Sequence, residues 1–354
     1  MEGERAVDLA GHLVGPGHPP LVIAEMSGNH NQSLERAFQI VDAAAQAGAH
    51  AIKLQTYTAE TMTLDSGADD FVIADESSPW TGKSLYSLYE EAHTPWEWHR
   101  AIFDRARSHG MLAFSTPFDE SAVDFLEELD VPCYKIASFE NAHLPLIRKV
   151  ASTGRPIIMS TGMASEEELA EAVGAARDAG CDELILLKCT STYPASVADS
   201  NLAAIPVIAS TFGCLVGLSD HTLGLAAPIA AVALGACVVE KHFTLSRADG
   251  GVDSSFSLEP AELAALVIET ERAWEALGKA EIGPAPAEIE SRRFRRSIYV
   301  SADMKAGDIL GPDNIRVVRP GNGLLPKHYD EVVGRPVTRD VEHGTPLSWD
   351  LVGR

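Results

Sequence analysis

The sequence predicts a (β/α)8 barrel followed by a small β-rich C-terminal domain. Two observations predict the barrel. Short runs of β-forming residues alternate with helical patterns, and eight such runs precede residue 278, the number that closes a barrel. Each run is apolar along its length, as parallel strands buried on both faces are. A third observation predicts the second domain: after residue 278 the helical period disappears and short alternating runs with Gly, Pro and Asp turns take over. An open doubly wound sheet is the alternative, but no Gly-x-Gly-x-x-Gly follows the first strand.

The strands are read in order. LVIAEMS (21–27) leads into the helical SLERAFQIVDAAAQAG, and AIKLQT (51–56) follows. MLAFST (111–116) precedes the amphipathic ESAVDFLEEL. CYKIAS (133–138), PIIMST (156–161), ELILLKCT (183–190), CLVGLSD (214–220) and CVVEKHF (237–243) complete the set. SEEELAEAVGAARDAG opens on a Ser-x-x-Glu capping box at Ser165. The apolar stretch Leu225–Val239 is too short to span a bilayer and reads as a core helix running into a strand. Residues 57–92 are too many for a plain connection and carry Tyr57, Phe71, Trp80, Tyr86 and Tyr89. At the C-terminal mouth of a barrel they form a substrate-facing wall. The catalytic barrel spans 1–278, a Pro-containing linker 279–290, and the β-rich domain 291–354, which is small enough to gain stability by docking.

Composition excludes several functions. With 354 residues and 45% hydrophobic content the chain is globular. A formal charge of −23 excludes a nucleic-acid partner, which needs a basic footprint. It also means that a site for an anion must gather its positive charge locally. The acidic N-terminal stretch MEGERAVDLAG has no apolar core of signal-peptide type, and no membrane role is expected. The five cysteines form no Cys-x-x-Cys pair, and four sit in apolar runs. Buried thiols and a reducing cytoplasm are the expectation.

The strand ends are unusually polar: Glu25 with Asn29 and His30, Lys53 with Gln55, Ser115 with Thr116, Lys135 with Ser138 and Glu140, Ser160 with Thr161, Ser191 with Tyr193, Ser219 with Asp220 and His221, and finally His242. Barrel enzymes draw their reacting groups from such ends. Buried polar groups are costly without a role. Lys53 and Lys135 lie inside strand patterns, where an ammonium needs an anionic partner. They can form structural ion pairs, serve as Schiff-base lysines, or clamp a phosphate and a carboxylate with help from the hydroxyls of Thr116, Ser138, Ser160 and Ser219. The clamp is the preferred reading. His221 and His242 end consecutive strands and suit a divalent metal; two imidazoles with oxygen ligands fit Mn, Fe, Co or Zn. Glu25 is expected to complete that site directly or through water, with Asp220 as an outer partner.

IAEMSGNHN, AIKLQTYT, FSTPFD, YKIASFEN, STGMAS, KCTSTYPA, GLSDHT and EKHFT resemble, in order, the sialic acid synthase family. The tail, with FRRS at 294–297 and RPGNG at 319–323, is similar to that family's small antifreeze-like (SAF) domain, itself similar to type III antifreeze protein. Within the family, GKSLYSLYEEAHTPWEWH (82–99), KLQTYTAETMTLD and Ala-Ser-Phe-Glu at 137–140 resemble the pseudaminic acid branch, whereas the neuraminate branch commonly has Ser-Gly-Glu at the last of these. The resemblance implies a metal-dependent condensation of phosphoenolpyruvate with an acetamido aldose, by C–O cleavage, to a nine-carbon 2-keto-3-deoxy sugar acid. Phosphoenolpyruvate is implied at Lys53, Gln55, Thr116, Lys135, Ser138, Ser160 and Ser219, with Ser191 standing where the neuraminate branch usually has Asn. A divalent ion is implied at His221 and His242, manganese first and magnesium or cobalt as alternatives. Glu140, Tyr193 and Asp253 are implied near the sugar, with Glu140 either an acid/base group or a sugar ligand. A domain-swapped homodimer offering Arg319 and Phe294 to the partner's barrel is implied as well. Three other functions stay open: a neuraminate or legionaminate synthase, a Schiff-base aldolase, and a non-catalytic sugar-binding module.

Overall fold

The computed structural model describes residues 6–75 and 80–354. Residues 1–5 of the acidic N-terminal stretch, and 76–79 within the expected wall, lie outside the described residues. The chain divides into two compact units, Met1–Gly278 and Lys279–Arg354.

The first unit opens on a hairpin, β1 (Val7–Leu9) with β2 (His12–Val14), which the sequence reading did not foresee. Eight parallel strands then close a barrel: β3 (Leu21–Glu25), β4 (Ala51–Thr56), β5 (Leu112–Pro117), β6 (Tyr134–Ile136), β7 (Ile157–Ser160), β8 (Leu184–Cys189), β9 (Leu215–Asp220) and β10 (Val238–His242), which returns to pair with β3. All eight lie within the expected runs or one residue past them. The helices between them are α1 (Leu34–Gln46), α2 (Ala59–Met62), α3 (Leu85–Ala92), α4 (Trp96–Ser108), α5 (Glu120–Glu127), α6 (Leu144–Ala151), α7 (Glu166–Asp178), α8 (Ala204–Phe212) and α9 (Ala226–Ala233). The last helix, α10 (Pro260–Leu277), follows β10. The short α2 and α3 belong to the excursion after β4.

Local chemistry explains these elements. The Ser165 hydroxyl accepts from the Glu168 amide while the Glu168 side chain reaches back, so α7 begins with the expected box. Such a cap stabilises a helix by about 1 kcal/mol. α1 buries Ala37, Ile40, Val41 and Ala44 at helical spacing against the strands. Gly217 lets β9 and β10 approach closely: a Cβ there would meet the Val238 carbonyl at 2.5 Å. Among the described residues no helix is long and apolar enough to cross a membrane.

The second unit has its own core, built on Ile298, Val300, Leu310, Ile315, Val332 and Leu347. Its regular elements are the antiparallel pair β11 (Ser297–Val300) and β12 (Ile315–Val318) and one short helical turn, α11 (Tyr329–Val332).

Candidate active site

Successive strand residues point to opposite faces, so residues two apart share a face. That rule divides the polar strand ends into two sets.

The first set faces the barrel interior. Register places Glu25 laterally between Lys53 and His242. The Lys53 ammonium lies 2.5 Å from Glu25 Oε2 and 3.6 Å from Glu240 Oε1, and donates to Thr116 Oγ1 at 3.1 Å. Lys135 donates to Ser160 Oγ at 2.6 Å and lies 3.9 Å from the same Glu240 oxygen. Ser219 donates to Glu240 as well. Gln55 bonds Glu25 Oε1 at 3.0 Å and the Ser27 hydroxyl at 3.2 Å. Both lysines and both glutamates are buried.

Burial and charge compete here. Burial alone would lower the Lys53 pKa, but the carboxylates of Glu240 and Glu25 outweigh it and raise it. Burial wins at Lys135, whose pKa falls despite Glu240. Burial also raises Glu25, with Glu240 adding to the rise, whereas the two lysines and His221 overcome burial and lower Glu240. The result is a compact cluster of two lysines and two glutamates whose formal charges cancel, with both ammonium groups gathered around one shared carboxylate, Glu240.

Beside it lies a hydroxyl cradle. Ser138 Oγ accepts from the Gly162 amide at 3.2 Å, and Asn141 donates to the Gly162 carbonyl at 3.1 Å. A Cβ at position 162 would stand 2.1 Å from Ser191 Oγ and 2.6 Å from Ser138 Oγ, so only glycine lets both hydroxyls occupy this corner. Cys189 joins them, 3.6 Å from Ser191 and 3.9 Å from His221 Nδ1. Burial pushes its thiol up, but His221 and the neighbouring hydroxyls bring it down to about 7.

The two imidazoles stand together, ring centroids 5.3 Å apart. His221 Nδ1 lies 2.9 Å from the Thr190 carbonyl. Assigned as the donor, Nδ1–H leaves Nε2 available, the arrangement usual in metal-binding histidines. His242 is held well below its ordinary value by burial and by neighbouring positive charge, so it is neutral. Its Nδ1 is buried without a hydrogen bond, 3.5 Å from Asp253 Oδ2. A neutral buried imidazole with an orphaned nitrogen fits a metal ligand. Among the described residues no group of three His, Cys, Asp or Glu is arranged to hold an ion. What the described residues offer such an ion is the pair of imidazoles.

Glu25, next to His242 in register, pairs with Lys53 and Gln55, and Asp253, hydrogen-bonded by Ser27, is a second carboxylate at His242. One expectation about this centre changes. Asp220 is one residue from His221 and therefore on the opposite face, where it binds Lys241 at 2.7 Å and caps Thr222.

The sugar-side candidates lie along an aromatic wall. Tyr193 packs 4.4 Å from the His221 ring and 5.2 Å from Phe256. Glu140 is raised to about 7 by burial, against the pull of Lys135, and its Oε2 is buried without a partner. Phe294 and Arg319 stand on the second unit, both exposed, with the Arg293 guanidinium 4.7 Å over the Phe294 ring.

The second set of strand-end polar groups faces the helices and is satisfied there. Ser115 bonds Thr56, which bonds His99 of α4. His30 bonds Thr94 and accepts from the Gln32 amide, and burial holds it at about 4. Lys241 with Asp220 completes this set. These are satisfied core polar groups, which leaves the inward half of the edge as the candidate site. Sequence reasoning missed Glu240, Ser27 and Cys189. The signal for Glu240 was its spacing, two residues before His242 and so on the same face.

The closed parallel barrel, with two buried lysines, a cluster of hydroxyls and an imidazole pair at the strand ends, places the chain in the class of (β/α)8-barrel proteins. The chain belongs to the NeuB family, whose model matches residues 40–282, and residues 295–353 match the SAF domain. It is 44% identical over 326 residues, 92% of this chain and 94% of the relative, to a pseudaminic acid synthase of Campylobacter jejuni. It is 42% identical to the pseudaminic acid synthase of Helicobacter pylori over 95% of this chain and 98% of that one. Among solved structures, an N-acetylneuraminic acid synthetase from Leptospira borgpetersenii in complex with citrate superposes with a TM-score of 0.73 at 34% identity, covering 81% of this chain and 95% of that one.

Proposed function

We propose that the chain is a pseudaminic acid synthase, condensing phosphoenolpyruvate with 2,4-diacetamido-2,4,6-trideoxy-L-altrose. The observation that carries this reading is the patch in which Lys53 and Lys135 converge on Glu240 beside the hydroxyls of Thr116, Ser160 and Ser219. Similarity to the two pseudaminic acid synthases supports the choice of sugar.

The lysines and hydroxyls bind the phosphate and carboxylate of phosphoenolpyruvate through charge-assisted hydrogen bonds. Gln55, Ser138 and Ser191 complete the cradle. The open-chain aldose lies along Tyr193, Asp253 and Glu140. A divalent ion held by His221 and His242, manganese first, supplies Lewis-acid polarisation of the aldehyde when bound. Carbon 3 of phosphoenolpyruvate forms the new bond to the aldehyde carbon as the C=O π pair passes to the aldehyde oxygen, which takes up a proton to become the hydroxyl at that carbon, and positive charge develops at carbon 2. Glu240, kept ionised by its lysines, stabilises that charge. Water adds at carbon 2 and loses a proton; Glu140, with a pKa of about 7, is suited to take it or to bind a sugar hydroxyl. Phosphate then leaves by C–O cleavage, held by the two lysines. The cytoplasm, where phosphoenolpyruvate is made and where the five buried free thiols stay reduced, is the compartment this reading requires.

The same reading includes a homodimer whose second unit covers the partner's barrel. Phe139, Met163, Val197 and Leu223 are each more than half exposed on the successive loops after β6, β7, β8 and β9. These exposed apolar side chains support a rim that is covered in such an assembly.

The test is a panel of acceptor aldoses with phosphoenolpyruvate, read by mass spectrometry and phosphate release. The expected result is a nine-carbon sugar acid from the diacetamido sugar; preferential turnover of N-acetylmannosamine would move the chain to the neuraminate branch. One observation favours a second reading: burial lowers the Lys135 pKa, as a Schiff-base lysine requires. Borohydride treatment with pyruvate should leave no adduct on Lys135, and a trapped adduct would establish the aldolase instead.

A further inference from the structure

The excursion after β4 is fastened at both ends. At its base Trp96 Nε1 donates to the Tyr57 carbonyl at 3.1 Å. At the end of α3, Gln32 donates to the carbonyls of Glu91 and His93 at 3.0 and 2.7 Å. Gly28 packs so closely that a Cβ would meet the Ala92 carbonyl at 3.0 Å. Midway, Trp80 Nε1 donates to the Val252 carbonyl at 2.9 Å, in the loop after β10. The excursion thus bridges the loops that follow the second and eighth barrel strands.

Trp80 is placed by that bond beside the sugar-side wall. Its ring lies 5.9 Å from Tyr193, whose ring in turn lies 4.4 Å from His221 and 6.5 Å from His242. Val252 immediately precedes Asp253, the carboxylate beside His242. An aromatic series therefore leads outward from the imidazole pair through Tyr193 to Trp80. An aldose with its aldehyde at the imidazoles and its chain along Tyr193 brings its far carbons to Trp80. The single N–H of the indole is already given to Val252, so the ring meets a ligand as an apolar face. The polar groups that can read acetamido N–H and hydroxyls, Glu140 and Asp253, stand on other loops of the wall.

We propose that Trp80 sets acceptor specificity: its ring is the apolar wall for the methyl end of a 6-deoxy aldose, and a hydroxyl at that carbon is disfavoured. This rests on the synthase reading above. A methyl group packs on an aromatic face, whereas a hydroxyl buried there without a partner loses its hydrogen bonds to water.

The experiment uses the full chain with phosphoenolpyruvate and two aldoses that differ by one oxygen, 2,4-diacetamido-2,4,6-trideoxy-L-altrose and its 6-hydroxy counterpart. The unaltered enzyme should favour the deoxy sugar in kcat/KM by about tenfold or more. Trp80→Ala should raise the KM for the deoxy sugar and bring the two sugars close to equality, with the KM for phosphoenolpyruvate unchanged. Trp80→Phe, which keeps an aromatic face without the N–H, should retain most of the preference. The unchanged phosphoenolpyruvate KM serves as the folding control. A preference that survives in an active Trp80→Ala enzyme overturns the inference alone. Phosphate release with neither sugar from the unaltered chain overturns the function reading, and the inference with it.

Discussion

Lys53 and Lys241 are both strand lysines, both buried, and both paired with buried carboxylates, yet they do different work. Lys241 faces the helices. Its ammonium binds Asp220 at 2.7 Å and also the carbonyl of Thr222, and Asp220 is further bonded by the Thr222 amide and hydroxyl. Lys53 faces the barrel interior, where Glu25 and Glu240 compete for it and the second oxygen of Glu240 has no hydrogen-bond partner. Glu140 Oε2 and His242 Nδ1 are orphaned in the same interior. The first pair is saturated within the fold, whereas the second cluster leaves acceptors orphaned, which is why it is the candidate site.

That contrast can be broken by experiment. The largest effect is expected at the imidazole pair. Exhaustive chelation, His221→Ala or His242→Ala should abolish phosphate release, and excess manganese should not fully restore either variant. Full turnover in chelated enzyme would remove the metal from the account. Lys53→Met should lower kcat/KM per folded molecule by about three orders of magnitude, and because it strands Glu25 and Glu240 it should also cost about 3–5 kcal/mol of stability. Lys241→Met should cost stability alone. It strands Asp220 and should cost about 3–5 kcal/mol of stability in denaturant titration, while activity per folded molecule stays near that of the unaltered chain. Equal losses of activity in the two methionine variants would erase the distinction between the two faces.

Glu140 sharpens the comparison through pH. Its carboxyl is raised from 4.5 to about 7 by burial, so its contribution to stability is fully present below pH 4.5 and lost as pH rises through 7. Glu140→Gln, which cannot ionise, should therefore be more stable than the unaltered chain at pH 8, by about 2 kcal/mol after allowance for partial exposure, and gain little at pH 5. If Glu140 moves a proton, the same variant should flatten the activity profile near pH 7. A smaller effect is expected at Arg319. Arg319→Ala should raise the sugar KM and spare that of phosphoenolpyruvate. Co-expressed with Lys53→Ala, it should rebuild some activity in heterodimers, and heterodimers no better than either parent would disprove capping by the partner.

The barrel was legible because each strand is a continuous apolar run, a pattern that parallel strands require. The hairpin at residues 7–14 was not, since three-residue strands carry too little periodicity. The lysines, the imidazoles and most hydroxyls of the site were visible as polar residues at strand ends. What went wrong was the face. Asp220 was joined to His221 as its sequence neighbour, although alternation puts Ser219 and His221 on one face and Asp220 on the other. Glu240 and Lys241 are adjacent in β10, and only the alternation counted from His242 puts the first inside the barrel and the second against the helices.

The central claim is that the interior set holds phosphate while carbon 2 is attacked by water. It is tested most directly by running phosphoenolpyruvate and the diacetamido aldose in H2(18)O and weighing both products. The account predicts a nine-carbon sugar acid and phosphate carrying no solvent oxygen. Labelled phosphate would mean cleavage at phosphorus, and would contradict the roles assigned to Lys53, Lys135 and Glu240.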